Sequence, residues 1–187
     1  MAAEGPVFFW KETEAETGFL SPWYKTRFKE GHQHYQSAGH MVLGEKAKLF
    51  GDTVITRPIY RMQTADKKQE AFERIIAAET IDEQIRSADG IQGYDEQVWL
   101  EILIVNAIPD ALPICEHANL LKFIFSYEYW DVRDPLLALG TRELVYACPT
   151  DRILGIGFGP EEARSTVREQ WGRNIFARGV DIARSKA

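Results

Sequence analysis

Along most of this chain the apolar residues recur at helical spacing, while the opening stretch is aromatic and irregular. There Gly18, Pro22 and Gly31 cut the sequence before Tyr35 into short extended pieces, suited to a hairpin or to one wall of a site. Ser37 then predicts a helix to about Phe50, because its hydroxyl can accept a bond from a free first-turn N–H. Asp66 with Gln69, and Thr80 with Glu83, have capping-box spacing, and the first precedes the helical pattern Ala71, Phe72, Ile75, Ile76. Asp95 opens a strongly apolar helix through Trp99, Ile102, Leu103 and Val105 that should stop before Pro109. Leu120 to Phe125 continue a further helical segment, and Asp134-Pro135 with Gly140 bracket a short one. Leu144 to Ala147 is the best internal strand. After the glycine-rich Gly155 to Gly159, Pro160 with Glu161-Glu162 starts a helix, and Asn174 to Arg184 forms the last.

The expected fold is mainly α with a minor β contribution, in a single compact domain over 1–187. It has short N-terminal extended segments and a small strand and Gly-rich loop near the pocket. With 187 residues and 45% apolar content, a real core is affordable. No linker or internal repeat interrupts it. Gly39 and Gly44 both fall in the first long helix, at a cost of about 1 kcal/mol each relative to Ala if interior, so either something other than propensity is being served there or a residue was lost.

Net charge of −6 and a pI near 5.3 argue against a broad phosphate-binding surface, although a local basic pocket is compatible with them. Met1 to Pro6 lack a basic start and apolar core of a secretory signal, and no apolar run is long enough to span a bilayer, which points to a cytoplasmic or nuclear protein without membrane contact. Cys115 and Cys148 lack metal spacing and read as packed, reduced thiols. His32, His34 and His40 share no regular ligand spacing, so no metal and no cofactor is expected. The Gly155, Gly157, Gly159 spacing is not a dinucleotide fingerprint.

Several separated motifs carry a resemblance. They are Phe19-Leu20-Ser21-Pro22-Trp23-Tyr24, then Ser37-Ala38-Gly39-His40-Met41 with Lys46-Ala47, Asn119-Leu120-Leu121-Lys122-Phe123, Asp151 to Gly157, and Trp171-Gly172-Arg173-Asn174. From Phe9-Trp10 to about Arg184 the chain resembles the NADAR family, whose corresponding runs read Phe-Leu-Ser-Asn-Phe/Trp-Tyr, Ser-Ala-Glu-His-Met, Asn-Leu-x-Lys-Phe, Asp-x-x-Trp-Gly-x-Gly and Trp-x-Gly-Lys-Asn. It departs at Gly39 for Glu, Pro22 for Asn and Leu154 for Trp. Relative to that family, about 53–74 reads as a helical insertion.

The resemblance implies hydrolysis of an N-glycosidic bond between a ribose carbon and a base nitrogen. Substrates in the family are phosphoribosylated pyrimidine intermediates of riboflavin synthesis and ADP-ribose attached to guanine. Such cleavage passes through oxocarbenium-like charge, so a site needs a carboxylate and a proton donor. Lys46 lies seven residues after Gly39, two helical turns on, and would orient a carboxylate, hold a ribose or phosphate oxygen, or attack ring-opened ribose; the bland reading is a snorkelling surface lysine. Asp151 is the leading surviving acid, or else a turn residue after Pro149-Thr150. Catalysis is therefore assigned to Lys46 and Asp151, and substrate binding to Ser21, Trp23, His40, Trp99, Gly155, Arg173 and Asn174. Trp23 and Trp99 would stack a base unless they are core, His40 would donate to a phosphate unless it completes a cap, and Arg173 with Asn174 would meet a pyrophosphate unless they cap a helix.

The implied ligand is ADP-ribose or another ribose phosphate, with ADP-ribosylated nucleic acid as a candidate partner. Three functions fit: an ADP-ribosyl-guanine hydrolase disabled or weakened by Gly39, a non-catalytic ADP-ribose reader, and a hydrolase of riboflavin-pathway intermediates.

Overall fold

The computed structural model describes residues 5–51, 73–78, 80–81, 83–85, 94–104 and 113–187. The expected Asp66–Gln69 cap and most of the 53–74 insertion lie outside them. The chain opens on strand β1 (Val7–Phe9), followed by a 3-10 turn at Gly18–Leu20 and a hairpin of β2 (Phe28–Glu30) and β3 (Gln33–Tyr35). Gly31 turns that hairpin at φ 56°, a left-handed angle that glycine adopts without a Cβ clash. The first long helix, α1, spans Ala38–Gly51, and the Ser37 hydroxyl accepts the His40 N–H at 3.1 Å, as a capping serine should.

Backbone at 73–77 is helical, and Thr80 and Glu83 form the reciprocal capping box: Thr80 N–H to Glu83 Oε2 at 3.1 Å, Glu83 N–H to Thr80 Oγ1 at 3.3 Å. Helix α2 (Glu96–Ile104) is capped by Asp95, whose Oδ1 accepts the N–H groups of Gln97 and Val98. Helix α3 (Ile114–Ile124) begins six residues before the helical segment expected from Leu120.

A second difference concerns Pro135, which was expected near a helix start. Helix α4 runs Tyr129–Ala138 and carries Pro135 inside it, while Gly140 closes the turn beyond at φ 60°. The carbonyl that Pro135 cannot serve belongs to Asp131, an exposed residue, so water can take the missing donor's place. Strand β4 (Leu144–Tyr146) pairs in parallel with β1, and α5 (Pro160–Ser165) and α6 (Ile175–Lys186) complete the chain.

One principal core joins Phe9, Leu20, Phe28, Met41, Trp99, Phe123, Leu144 and Phe176, so strands, hairpin and helices share a single apolar interior. Helix α3 lies at its centre against α1 and α6. At Gly179 a Cβ would stand 2.7 Å from the Cys115 carbonyl oxygen, so glycine lets α6 approach α3 that closely. Among the described residues no helix is long and apolar enough to cross a membrane.

Candidate functional site

The segment 21–24 is drawn onto the start of α1. Ser21 is fully buried; its Oγ accepts the Trp23 N–H and its carbonyl accepts the Lys122 Nζ at 2.7 Å. Lys122 is itself fully buried, and that burial pushes its pKa well below the usual lysine value. From α1, the Gly39 N–H donates to the Pro22 carbonyl at 2.7 Å. This bond brings the Trp23 indole against Gly39: a Cβ added there would lie 2.7 Å from both Cε3 and Cζ3 of the ring. Gly39 therefore serves close approach rather than helix propensity. The Trp23 ring covers the direction in which any side chain at position 39 would leave the helix.

The Trp23 side chain and the Cys148 thiol are both electrostatic neighbours of the Tyr146 hydroxyl at the end of β4. Burial, helped by Cys148 and by the charge of Asp151, raises the Tyr146 phenol far above its ordinary value. Asp151 stands in the loop beyond, with Oδ1 accepting the N–H groups of Ile153 and Leu154, both at 2.8 Å. That is the turn geometry of an aspartate, and it leaves Oδ2 as the oxygen able to meet water or a hydroxyl. Lys46, two turns along α1 from Gly39, places Nζ 3.9 Å from the Tyr94 ring centroid and 5.7 Å from that of Trp99. Burial, then the charges of Glu96, Asp151 and Asp95, raise the Tyr94 phenol. Tyr94 thus touches Lys46 through its ring and feels the charge of Asp151, the two residues expected to do chemistry.

Other candidates occupy structural positions. Trp99 is 3% exposed in the core, with its ring toward Phe50 and Lys46. His40 commits both ring nitrogens: Nε2–H donates to the Ile75 carbonyl at 2.8 Å and Nδ1 accepts the Gln36 N–H at 3.2 Å, a neutral tautomer whose pKa burial lowers. The expected phosphate contact would have to displace one of these bonds. Asn174, left-handed at φ 53°, accepts the Tyr146 N–H through Oδ1 and donates Nδ2 to the Leu144 carbonyl. It caps α6 onto β4 as one more rung, and its amide is spent there. Gly155 is buried, with room for no Cβ: one would fall 2.8 Å from the Tyr146 carbonyl oxygen and 3.0 Å from that of Asp151. The loop is fixed from the C-terminal side, since Arg173, Asn174, Ile175 and Phe176 donate backbone N–H groups to Arg152, Gly155, Ile153 and Leu154. The Arg173 side chain is exposed.

The structure therefore joins Lys46 to Trp99 through a ring contact, sets Trp23 on Gly39 two turns away along α1, holds Asp151 in its own turn, and spends Ser21, Gly155 and Asn174 on backbone contacts. Sequence reasoning missed Tyr94 and Tyr146. Tyr94 could have been found from its place immediately before the Asp95 cap, whereas Tyr146 reads only as a strand residue.

The profile of the NADAR domain matches residues 8–186, and the chain belongs to that family. Its fold is shared with the E. coli protein YbiA, solved by NMR, at 15% identity and a TM-score of 0.61, covering 97% of this chain and 84% of that one. Among curated proteins it is similar to the N-glycosidase R617 of Acanthamoeba polyphaga mimivirus, at 24% identity over 95% of this chain and 94% of the relative.

Proposed function

We propose that this chain is an N-glycosidase-type protein that holds a ribose phosphate, ADP-ribose joined to guanine foremost, and hydrolyses the link between ribose and base. The observation that carries this reading is the Lys46 ammonium lying 3.9 Å over the Tyr94 ring, whose phenol also feels the charge of the Asp151 carboxylate. Glycosidic cleavage builds positive charge on the sugar and negative charge on the leaving nitrogen. A carboxylate near the first and a cation near the second lower that barrier. Asp151 Oδ2 would take a proton from water as it attacks the anomeric carbon, the ribose–base bond would break with its electrons going to the base nitrogen, and that nitrogen would take up a proton from solvent, while Lys46 would hold the sugar or phosphate oxygens in place. Similarity to a mimivirus N-glycosidase supports the reaction class.

Turnover of ADP-ribosylated guanosine tests the reading. Asp151→Asn keeps the Oδ1 acceptor for Ile153 and Leu154, so it should leave the melting temperature nearly unchanged while lowering kcat by about a hundredfold or more. An Asn variant with parental kcat would make Asp151 a turn residue only. If ribose 5-phosphate competes as well as ADP-ribose, the smaller riboflavin-pathway substrates become the better fit.

A second reading, a binding module for ADP-ribose without turnover, is favoured by the Trp23 ring lying over Gly39, where the family resemblance expects an acid. Calorimetry with ADP-ribose, NAD and ribose 5-phosphate separates the two readings. Binding without turnover, unchanged in Gly39→Glu combined with Trp23→Ala, supports the module; absence of binding removes both.

A further inference from the structure

We propose that the outer face of the β2–β3 hairpin, together with the connection between α3 and α4, binds a single-stranded nucleic acid through its phosphates and through stacking of its bases. In a protein of net charge −6, Lys25, Arg27 and Lys29 all point outward, alternating with buried Thr26 and Phe28, so the extended backbone lays three cations along one edge. Across the hairpin His34 pairs with Lys29 and is exposed on the same side. Glu128 takes the Arg27 N–H and Nε, each at 2.7 Å, and Glu30 meets His117 Nε2 at 3.1 Å, so Lys25 and Lys29 are the cations that face phosphate while Arg27 ties the edge to Glu128.

Beside this edge lie Phe125, Tyr127 and Trp130, exposed to 66%, 62% and 68%. Three exposed rings within six residues are costly for a surface that meets only water. The connection is fixed to the basic edge by the Tyr127 N–H, which donates to the Arg27 carbonyl at 2.9 Å. Between the two lies a hollow of 380 Å³ whose lining includes Arg27, Gln33, His34, Gln36 and Tyr127, a volume within the range of small-ligand pockets. Gln33 and Gln36 turn their amide nitrogens to the carbonyls of His34 and Ala78, so their side-chain oxygens are the acceptors that a base amino group would meet. Phosphate-directed cations interleaved with stacking rings are what sequence-tolerant single-strand binding requires. A folded duplex offers no base faces to those rings. This inference does not depend on cleavage, because an unmodified strand should bind.

Fluorescence anisotropy with the full chain tests it, using a labelled ten-nucleotide single strand of mixed sequence, as DNA and as RNA, against the same sequence as duplex and against polyglutamate. Both single strands should bind more tightly than the duplex or the acidic polymer, and the affinity should fall with salt at a log-log slope of about −1.4, as two phosphate contacts imply. Tyr127→Ala should weaken binding by about five- to a hundredfold, and Lys25→Gln with Lys29→Gln should remove more than half of the slope, with melting temperatures unchanged at these exposed positions. No single-strand binding at low salt, parental binding by both variants, or equal binding of duplex or polyglutamate would overturn the proposal.

Discussion

Replacing Gly39 by alanine adds one methyl group, and the direction of its effect is decided by Trp23. Helix propensity alone predicts a gain of up to about 1 kcal/mol, less so near a helix start. The geometry predicts the opposite. The new Cβ would stand 2.7 Å from two ring carbons of Trp23 and 3.1 Å from the Pro22 carbonyl oxygen. Carbon atoms rest at about 3.5–4.0 Å, so the ring would have to retreat by roughly 1 Å. That retreat carries an overpacking cost of about 1–3 kcal/mol. Against the propensity gain, a net loss of about 1–2 kcal/mol remains, which in a chain of this length lowers Tm by about 2–8 °C. Thermal unfolding followed by circular dichroism measures it, in the parent and in a Trp23→Ala background. With the ring gone the same substitution should be neutral or stabilising, a coupling of about 1–3 kcal/mol. A higher Tm for Gly39→Ala in the parent, or equal effects in the two backgrounds, would refute the assignment of Trp23 to that space.

Asn174→Ala removes two bonds to β4 and leaves a side chain at a left-handed φ, so urea unfolding should show a loss of about 3 kcal/mol, with Asn174→Gly falling between it and the parent. A change under about 0.5 kcal/mol would sink that account. His40 is held neutral with a folded pKa below its unfolded value, so below about pH 6.5 the unfolded chain binds a proton that the folded chain refuses. Stability should accordingly fall as pH drops from 7 through 6, and His40→Asn should flatten part of that slope in urea midpoints at pH 7.5, 6.5 and 5.5. Thr80→Ala breaks the capping box and should cost about 1 kcal/mol, whereas an unchanged midpoint would mean that this turn holds without it.

What could be read in advance was what is local. Ser37, Thr80 with Glu83, and Asp95 each announce a helix through bonds spanning three residues or fewer, and all three caps are present. Pro135 misled because its cost depends on whether water reaches the unserved carbonyl, a tertiary fact. At the site, Lys46 followed from helical periodicity and the family resemblance. The covering of Gly39 by Trp23 could not follow from spacing, since a loop and a helix start meet there only through the folded path of residues 21–39. His40 and Asn174 carry side chains that suit ligands equally well, and only the positions of Ile75 and β4 show that their polar atoms are spent inside the fold.

The parallel pairing of β1 with β4 has a consequence for biogenesis. Val7, Phe8 and Phe9 leave the ribosome long before Leu144, Val145 and Tyr146 exist, so the first strand waits through more than a hundred residues of synthesis without its mate. Closing so large a loop late makes acquisition of the native state slow, and a sticky nascent N-terminus is vulnerable meanwhile. Yield in a heterologous host should therefore respond more to slowed translation and chaperone supply than to changes in the helices that assemble from neighbouring sequence.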